Sequence, residues 1–79
     1  SKIYYFSAPW CGPCKQLAPT MERSGLPFQK VNVDEDQTLS AKYGIRNVPT
    51  LVKVDSSGNE ISRLVGNNPL DKIKNWYNG

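Results

Sequence analysis

The feature that most constrains this chain is a pair of cysteines, separated by two residues, placed where a predicted strand ends and a predicted helix begins. The stretch reads Trp10-Cys11-Gly12-Pro13-Cys14-Lys15. Before it, Ile3 to Ser7 is rich in aromatic and β-branched residues and predicts a strand of about five residues. After it, Leu17 and Met21 follow at helical spacing, and proline is tolerated in the first helical turn. The chain therefore presents two thiols at the start of a helix.

This position gives the first cysteine an unusual environment. Two thiols at this spacing lie one helical turn apart, and Cys11 stands at the helix N-terminus. Unpaired backbone N–H groups and the positive end of the helix dipole stabilise an anion there. We therefore expect the pKa of the Cys11 thiol to lie below its ordinary value. A thiol of low pKa also leaves readily, which helps when Cys14 displaces it.

Two other interpretations of the cysteine pair stay open on these grounds. One is a structural disulfide, although closing a loop of about four residues contributes only about 2 kcal/mol. The other is half of a metal site, which would need carboxylates or a second chain to complete it. The chain has two cysteines and no histidine. That inventory excludes a histidine-ligated metal site, a Ser-His-Asp triad and a four-cysteine zinc site. We expect no bound metal and favour a redox dithiol.

Length and charge exclude further classes. A chain of 79 residues suffices for one domain with a modest core, and we expect residues 1–79 to form it. The net charge is +3, but its lysines and arginines form no run, so no nucleic-acid surface is predicted. No stretch approaches the roughly 20 apolar residues of a membrane span, and the start does not read as a signal peptide. We expect a cytoplasmic protein, where cysteines stay reduced unless they do redox chemistry.

The rest of the chain predicts three more strands and two more helices. The first helix should be kinked at Pro19 and end at Gly25. The predicted strands cover residues 28–34, 50–55 and 60–65, and the last two form an antiparallel hairpin. One short helix follows the acidic cap at 34–36 and runs to Tyr43; the other is capped by Asn68. The order β-α-β-α-β-β-α predicts a mixed sheet that starts with a parallel, right-handed βαβ unit. The predicted buried face of the last helix comprises Leu70, Ile73, Trp76 and Tyr77.

Five segments together resemble the thioredoxin family: Trp10-Cys11-Gly12-Pro13-Cys14-Lys15, Pro19 within the helix, Lys30-Val31-Asn32-Val33-Asp34, Tyr43-Gly44-Ile45-Arg46-Asn47-Val48-Pro49-Thr50, and Val65-Gly66. The resemblance covers nearly the whole chain, in the family's order. It implies an α/β, thioredoxin-like fold with a four-stranded mixed sheet and three helices. The family's usual first strand and first helix are missing from this pattern, which leaves a core of glutaredoxin size.

The resemblance also implies a role for each matching residue. Cys11 would attack a substrate disulfide, and Cys14 would resolve the resulting mixed disulfide. Pro49 matches the family's cis-proline; with a cis bond, the Val48 backbone would face Cys11 and pair with an extended substrate strand. The implied docking surface comprises Trp10, Val48, Pro49, Val65 and Gly66. Trp10 could alternatively be an ordinary exposed aromatic residue.

Two residues near the cysteines, Tyr5 and Ser7, depart from the family's pattern. Tyr5 stands where thioredoxins usually carry a buried aspartate, six residues before the first cysteine. A tyrosine is a weak base at neutral pH but can hydrogen-bond a thiol or a water, so Tyr5 either does so beneath Cys14 or fills core volume. Lys30 matches the aspartate's usual neighbour and, without that partner, is expected to extend outward. Ser7 replaces a frequent tryptophan, which removes packing near the site.

The implied activity is that of a protein-disulfide reductase serving electron transport and cell redox homeostasis. It would bind no cofactor and take electrons from NADPH through a thioredoxin reductase. Its partners would be disulfide-containing proteins, ribonucleotide reductase among the candidates, with no nucleic acid or membrane partner, and it would act as a monomer. Gly12 and Pro13 between the cysteines favour this activity by resemblance.

Two alternatives remain. The compact length suggests a glutathione-coupled, glutaredoxin-like enzyme, in which a groove around Arg46 and Lys15 would hold a carboxylate-bearing peptide. The other alternative is a thioredoxin-fold binding module whose thiols are incidental. Trp10 beside two thiols argues against that module.

Overall fold

Seven secondary-structure elements follow one another in the predicted order β-α-β-α-β-β-α. The computed structural model describes all 79 residues, Ser1–Gly79. The strands are β1 (Lys2–Ser7), β2 (Phe28–Asn32), β3 (Thr50–Val54) and β4 (Glu60–Val65). The helices are α1 (Gly12–Ser24), α2 (Gln37–Lys42) and α3 (Leu70–Asn78). None of the helices is long and apolar enough to cross a membrane.

The four strands form one mixed sheet in the order β2-β1-β3-β4, which confirms the predicted sheet. β1 and β2 are parallel, whereas β3 runs antiparallel to both β1 and β4. Phe6 near the end of β1 is paired with Thr50 at the start of β3. Because these two strands are antiparallel, the loop before β3 reaches the same end of the sheet as the cysteine loop after β1.

Local hydrogen bonds explain where the elements begin and end. Gly25 ends α1 with a φ of 70°, a left-handed conformation that glycine adopts without strain. Asp36 caps α2 by accepting the Leu39 N–H at 3.0 Å. β2 ends two residues before its predicted boundary of 34, because the Asn32 side chain accepts the Asp34 N–H at 2.9 Å and starts a turn.

The prediction that Asn68 caps the last helix is wrong. Pro69 occupies the N-cap position of α3, and no side chain caps this helix. The Asn68 amide instead donates to the carbonyls of Val65 and Gly66, both at 3.0 Å. Asn68 therefore stabilises the turn after β4 and not the helix itself.

The sheet buries a different core on each face. The face covered by α1 and α3 buries Ile3, Tyr5, Leu17, Met21, Leu51 and Ile73. The opposite face buries Phe6, Val31, Tyr43, Val52 and Val54. Of the predicted inner face of α3, only Ile73 is fully buried; Leu70, Trp76 and Tyr77 are partly buried. Since side chains alternate along a strand, Tyr5 and Ser7 both project toward α1.

Candidate active site

The two cysteines form a disulfide across the first turn of α1, with their Cα atoms 5.3 Å apart. Cys11 is the N-cap residue of this helix and Cys14 lies within its first turn. Both are buried, with 4% and 3% of their surfaces exposed, and both pack against Ala8. The structure contains no group of three or more His, Cys, Asp or Glu residues that could hold a metal ion.

The helix N-terminus acts directly on the first sulfur. The Cys14 N–H donates to Cys11 Sγ at 3.2 Å, so this sulfur caps α1. No acidic residue stands in the first turn to compete for the positive end of the helix dipole. After reduction, the same N–H stabilises a thiolate at Cys11 over the neutral thiol. The arrangement therefore suits a nucleophilic first cysteine.

The loop before β3 supplies a second wall beside Cys11. The Val48–Pro49 peptide bond is cis, and the Val48 carbonyl oxygen lies 3.6 Å from Cys11 Sγ. The Val48 N–H donates to no protein group. Gly66 lies beside this loop, since its N–H donates to the Pro49 carbonyl at 2.9 Å. The structure thus brings Cys11, Val48, Pro49 and Gly66 together, and leaves a main-chain donor of Val48 free for a partner.

Apolar side chains and open backbone surround this centre. Trp10 is 70% exposed and Val65, at the end of β4, is 50% exposed. Gly12 and Pro13 are exposed, and a Cβ at Gly12 would meet no atom within 4 Å. Such exposed apolar surface beside a reactive pair suits a docking partner.

Trp10 makes one hydrogen bond that the sequence does not predict. The Trp10 indole N–H donates to the Asp34 carboxylate at 3.0 Å, which orients the ring. The predicted pairing of β1 and β2 does indicate that the two residues are near each other, because these parallel strands both end at this edge of the sheet and Asp34 follows β2. An exposed tryptophan and a carboxylate at one edge can pair, but the sequence also offered Glu35 and Asp36.

Tyr5 lies beneath Cys14, and its hydroxyl contacts the main chain. The hydroxyl donates to the Cys14 carbonyl at 2.6 Å, and the residue is 1% exposed. Its ring packs against Phe28, with centroids 6.2 Å apart. Burial raises the pKa of Tyr5 above its ordinary value. Tyr5 therefore both fills the core and makes a hydrogen bond, but this bond reaches the carbonyl and not the thiol.

Lys30 is exposed, and it borders an open cleft behind Cys14. The cleft has a volume of about 310 Å³. It is lined by Tyr5, Ser7, Ala8, Pro9, Cys14, Lys15, Lys30 and Asn32. Arg46 is exposed and does not line this cleft, so the cleft does not connect Arg46 with Lys15. Lys15 instead lines the cleft next to the second cysteine.

Comparisons with known proteins agree with this geometry. The sequence model of the thioredoxin family matches residues 2–79. The thioredoxin of Haemophilus influenzae is 37% identical, with 92% of this chain and 73% of that protein aligned. The thioredoxin of Bacillus subtilis is 38% identical, with 92% of this chain and 75% of that protein aligned.

Solved structures extend the likeness to the fold. Fasciola hepatica thioredoxin superposes with a TM-score of 0.86 at 33% identity, covering 96% of this chain and 76% of that chain. A mutant thioredoxin from Halobacterium salinarum gives a TM-score of 0.86 at 37% identity, covering 95% of this chain and 69% of that chain. With its disulfide at the start of α1, this chain belongs to the thioredoxin family and is a thiol-disulfide oxidoreductase.

Proposed function

We propose that this chain reduces protein disulfides, with Cys11 as the attacking thiol and Cys14 as the resolving thiol. The observation that carries the proposal is the hydrogen bond from the Cys14 N–H to Cys11 Sγ, at 3.2 Å. This bond favours negative charge on the first sulfur and not on the second. The two thiols thereby differ in reactivity, which an ordered two-step exchange requires.

The exchange proceeds in two steps that balance. The Cys11 thiolate attacks one sulfur of a substrate disulfide, forming a mixed disulfide and releasing the other substrate sulfur as a thiolate. Cys14 then loses its proton and attacks Cys11 Sγ, which forms the Cys11–Cys14 disulfide and releases the second substrate thiolate. Two electrons pass to the substrate, and the protein is left in the oxidised form that the structure contains.

Substrate docking uses the surface around Cys11. An extended substrate segment pairs with the free N–H of Val48, as in strand addition. Trp10 and Val65 supply exposed apolar contacts, while Gly66 allows a close backbone approach beside Pro49. Gly12 and Pro13 keep the attacking face open. Tyr5 and Lys30 support the site from behind and do not touch the substrate.

Thioredoxins act on disulfide-containing proteins and take electrons from thioredoxin reductase. For this chain, the proposed electron source is NADPH through such a reductase, and ribonucleotide reductase is one candidate substrate. Residues 1–79 act as a single domain and as a monomer, since one copy holds both cysteines and the docking surface. The cytoplasm is the proposed site of action, because its reducing conditions keep thiols available for exchange.

Reduction of insulin tests this proposal. The assay is run with NADPH and a thioredoxin reductase, and separately with glutathione and glutathione reductase. We expect activity with the first system; activity with glutathione alone would replace the proposed donor, and activity with neither would indicate a binding module.

A pair of variants tests the order of the two thiols. Cys14→Ser should accumulate a stable mixed disulfide with substrate, visible by mass spectrometry, because attack occurs without resolution. Cys11→Ser is the matched control and should trap none. If Cys11→Ser traps substrate and Cys14→Ser does not, the assigned roles are reversed.

A further inference from the structure

The cleft behind Cys14 lies where the short side chain of Ser7 leaves space between β1, β2 and the first turn of α1. Ser7 and Asn32 are register partners on β1 and β2, as are Tyr5 and Lys30. These four side chains project toward α1. Tyr5 packs against the helix, but the Ser7 side chain is short and Lys30 extends into solvent. The space left open between the strands and the first turn of α1 is about 310 Å³ and reaches Cys14.

The polar side chains of this cleft differ in whether they have hydrogen-bond partners within the protein. The Tyr5 hydroxyl donates to the Cys14 carbonyl, and the Asn32 side chain bonds the Asp34 N–H and Glu35. The Ser7 hydroxyl has no hydrogen-bond partner in the protein, although only 3% of the residue is exposed. The Ser7 hydroxyl is not shut off from solvent, since Trp76 Nε1 alone is a buried side-chain atom without a partner, so a hydroxyl that borders an open cleft in this way bonds to water.

The charges that face the cleft are all positive. Its titratable groups are Lys15 from α1, Lys30 from β2, Tyr5 from β1 and Cys14 itself, and no carboxylate lines it. Tyr5 cannot take a proton from Cys14 near neutral pH, because its phenol is already protonated and uses its proton on a carbonyl. A cation near a thiol favours the thiolate, whereas burial away from water disfavours it.

We propose that this cleft is the site where the Cys14 thiolate forms, with Ser7 as the residue that positions water against the sulfur and with Lys15 and Lys30 as the cations that favour its charge. The inference rests on the proposed function and concerns its resolving step. Water in the cleft accepts the Cys14 proton and passes it to bulk solvent. The thiolate then attacks Cys11 Sγ of the mixed disulfide, and the substrate leaves as a thiolate.

Single-turnover kinetics with an aromatic disulfide, dithiobis-nitrobenzoate, separate the two chemical steps. The reduced protein releases one coloured thiolate when Cys11 attacks, at a rate that depends on reagent concentration. It releases a second when Cys14 resolves the mixed disulfide, at a rate independent of reagent concentration. The pH dependence of the second phase, measured by stopped flow between about pH 5 and pH 9, reports the ionisation of Cys14.

Each variant changes one component of the cleft. In the plot of second-phase rate against pH, Lys30→Met should raise the pH of the inflection by about half a unit, as expected for unit charges several Å apart in water. At neutral pH this slows resolution about threefold, and Lys30→Arg should restore it. Ser7→Ala should also raise the pH of this inflection, because water in the cleft loses the hydroxyl that positions it. Ser7→Leu fills the cleft and should move it by about one unit or more, since the sulfur loses its access to water.

Lys74→Met is the matched control, because Lys74 is an exposed lysine on α3 that does not line the cleft. It removes the same charge and should leave the second phase unchanged. The inference is overturned if Lys30→Met and Ser7→Ala keep the parent pH profile, or if Lys74→Met shifts it equally. Failure of the proposed function looks different, because the first phase would then be absent or would survive Cys11→Ser.

Discussion

Replacing Tyr5 with phenylalanine should weaken the fold without slowing the chemistry. The change removes the hydroxyl that donates to the Cys14 carbonyl at 2.6 Å and keeps the buried ring. A hydrogen bond of this kind contributes about 0.5–1.5 kcal/mol net. A domain of 79 residues has roughly 4–12 kcal/mol of stability in total, so the loss is measurable. With a urea m-value of about 1 kcal/mol per M, the unfolding midpoint should fall by about 1 M.

The same variant should show normal kinetics and an altered response to alkali. Because the hydroxyl contacts a carbonyl and not the Cys14 sulfur, both phases of the single-turnover reaction should keep their rates. Burial raises the pKa of Tyr5 in the folded chain, so its contribution is present below about pH 10 and is lost as pH rises through the folded value. Tyr5→Phe should lack this alkaline loss.

Tyr4→Phe is the matched control for these measurements. Tyr4 is half-buried on the opposite face of β1, and its hydroxyl makes no hydrogen bond in the structure, so its removal should leave the midpoint nearly unchanged. The reasoning fails if Tyr5→Phe slows resolution by about tenfold or more while the midpoint stays in place. That outcome would assign the hydroxyl a direct chemical role.

Three further variants test the docking surface, the core and the hairpin turn. Trp10→Ala should raise KM for a protein substrate severalfold, but stability should change by less than about 0.5 kcal/mol in urea unfolding because the ring is 70% exposed. Ile73→Ala should cost about 2–5 kcal/mol in the same assay, since the side chain is 0% exposed. The Asn59 N–H is the main group holding the pKa of Asp55 below its ordinary value, so this stabilisation is present above about pH 4 and lost as pH falls through the folded value. Asp55→Ala should flatten the acid limb of a plot of stability against pH; an unchanged limb would contradict this assignment.

Local signals in the sequence predict most of the element boundaries. Gly25 and Asp36 act through their own backbone or side chain, so their positions predict where a helix ends or begins. The bounds of β4 follow from a turn cluster of small and polar residues before Glu60. The prediction that Asn68 caps α3 is wrong because an amide before a proline can either cap a helix or stabilise the preceding turn. Only the position of the Val65 carbonyl decides between these two roles.

The parts of the site that the sequence did not predict depend on which strands lie side by side. Ser7 and Lys30 border one cleft only because β1 is the neighbour of β2 and α1 lies over both. The sequence marked Ser7 as a departure from the family pattern and Lys30 as a residue without its usual partner, but it could not show that they share a space with Cys14. Similarly, several carboxylates were available to Trp10, and the turn at Asn32 selects Asp34.

The place of Cys11 at the cap of α1 has a consequence for timing. A negatively charged sulfur accepts a hydrogen bond more strongly than a sulfur bonded to another sulfur. The Cys14 N–H is therefore held more firmly in the reduced protein than when Cys11 is bonded to another sulfur, as it is in this structure and in the mixed disulfide. The mixed disulfide is also the state in which Cys14 attacks Cys11 Sγ. The hydrogen bond at the helix end therefore weakens when the first disulfide forms and strengthens again after reduction, so the strength of this cap follows the redox state of Cys11.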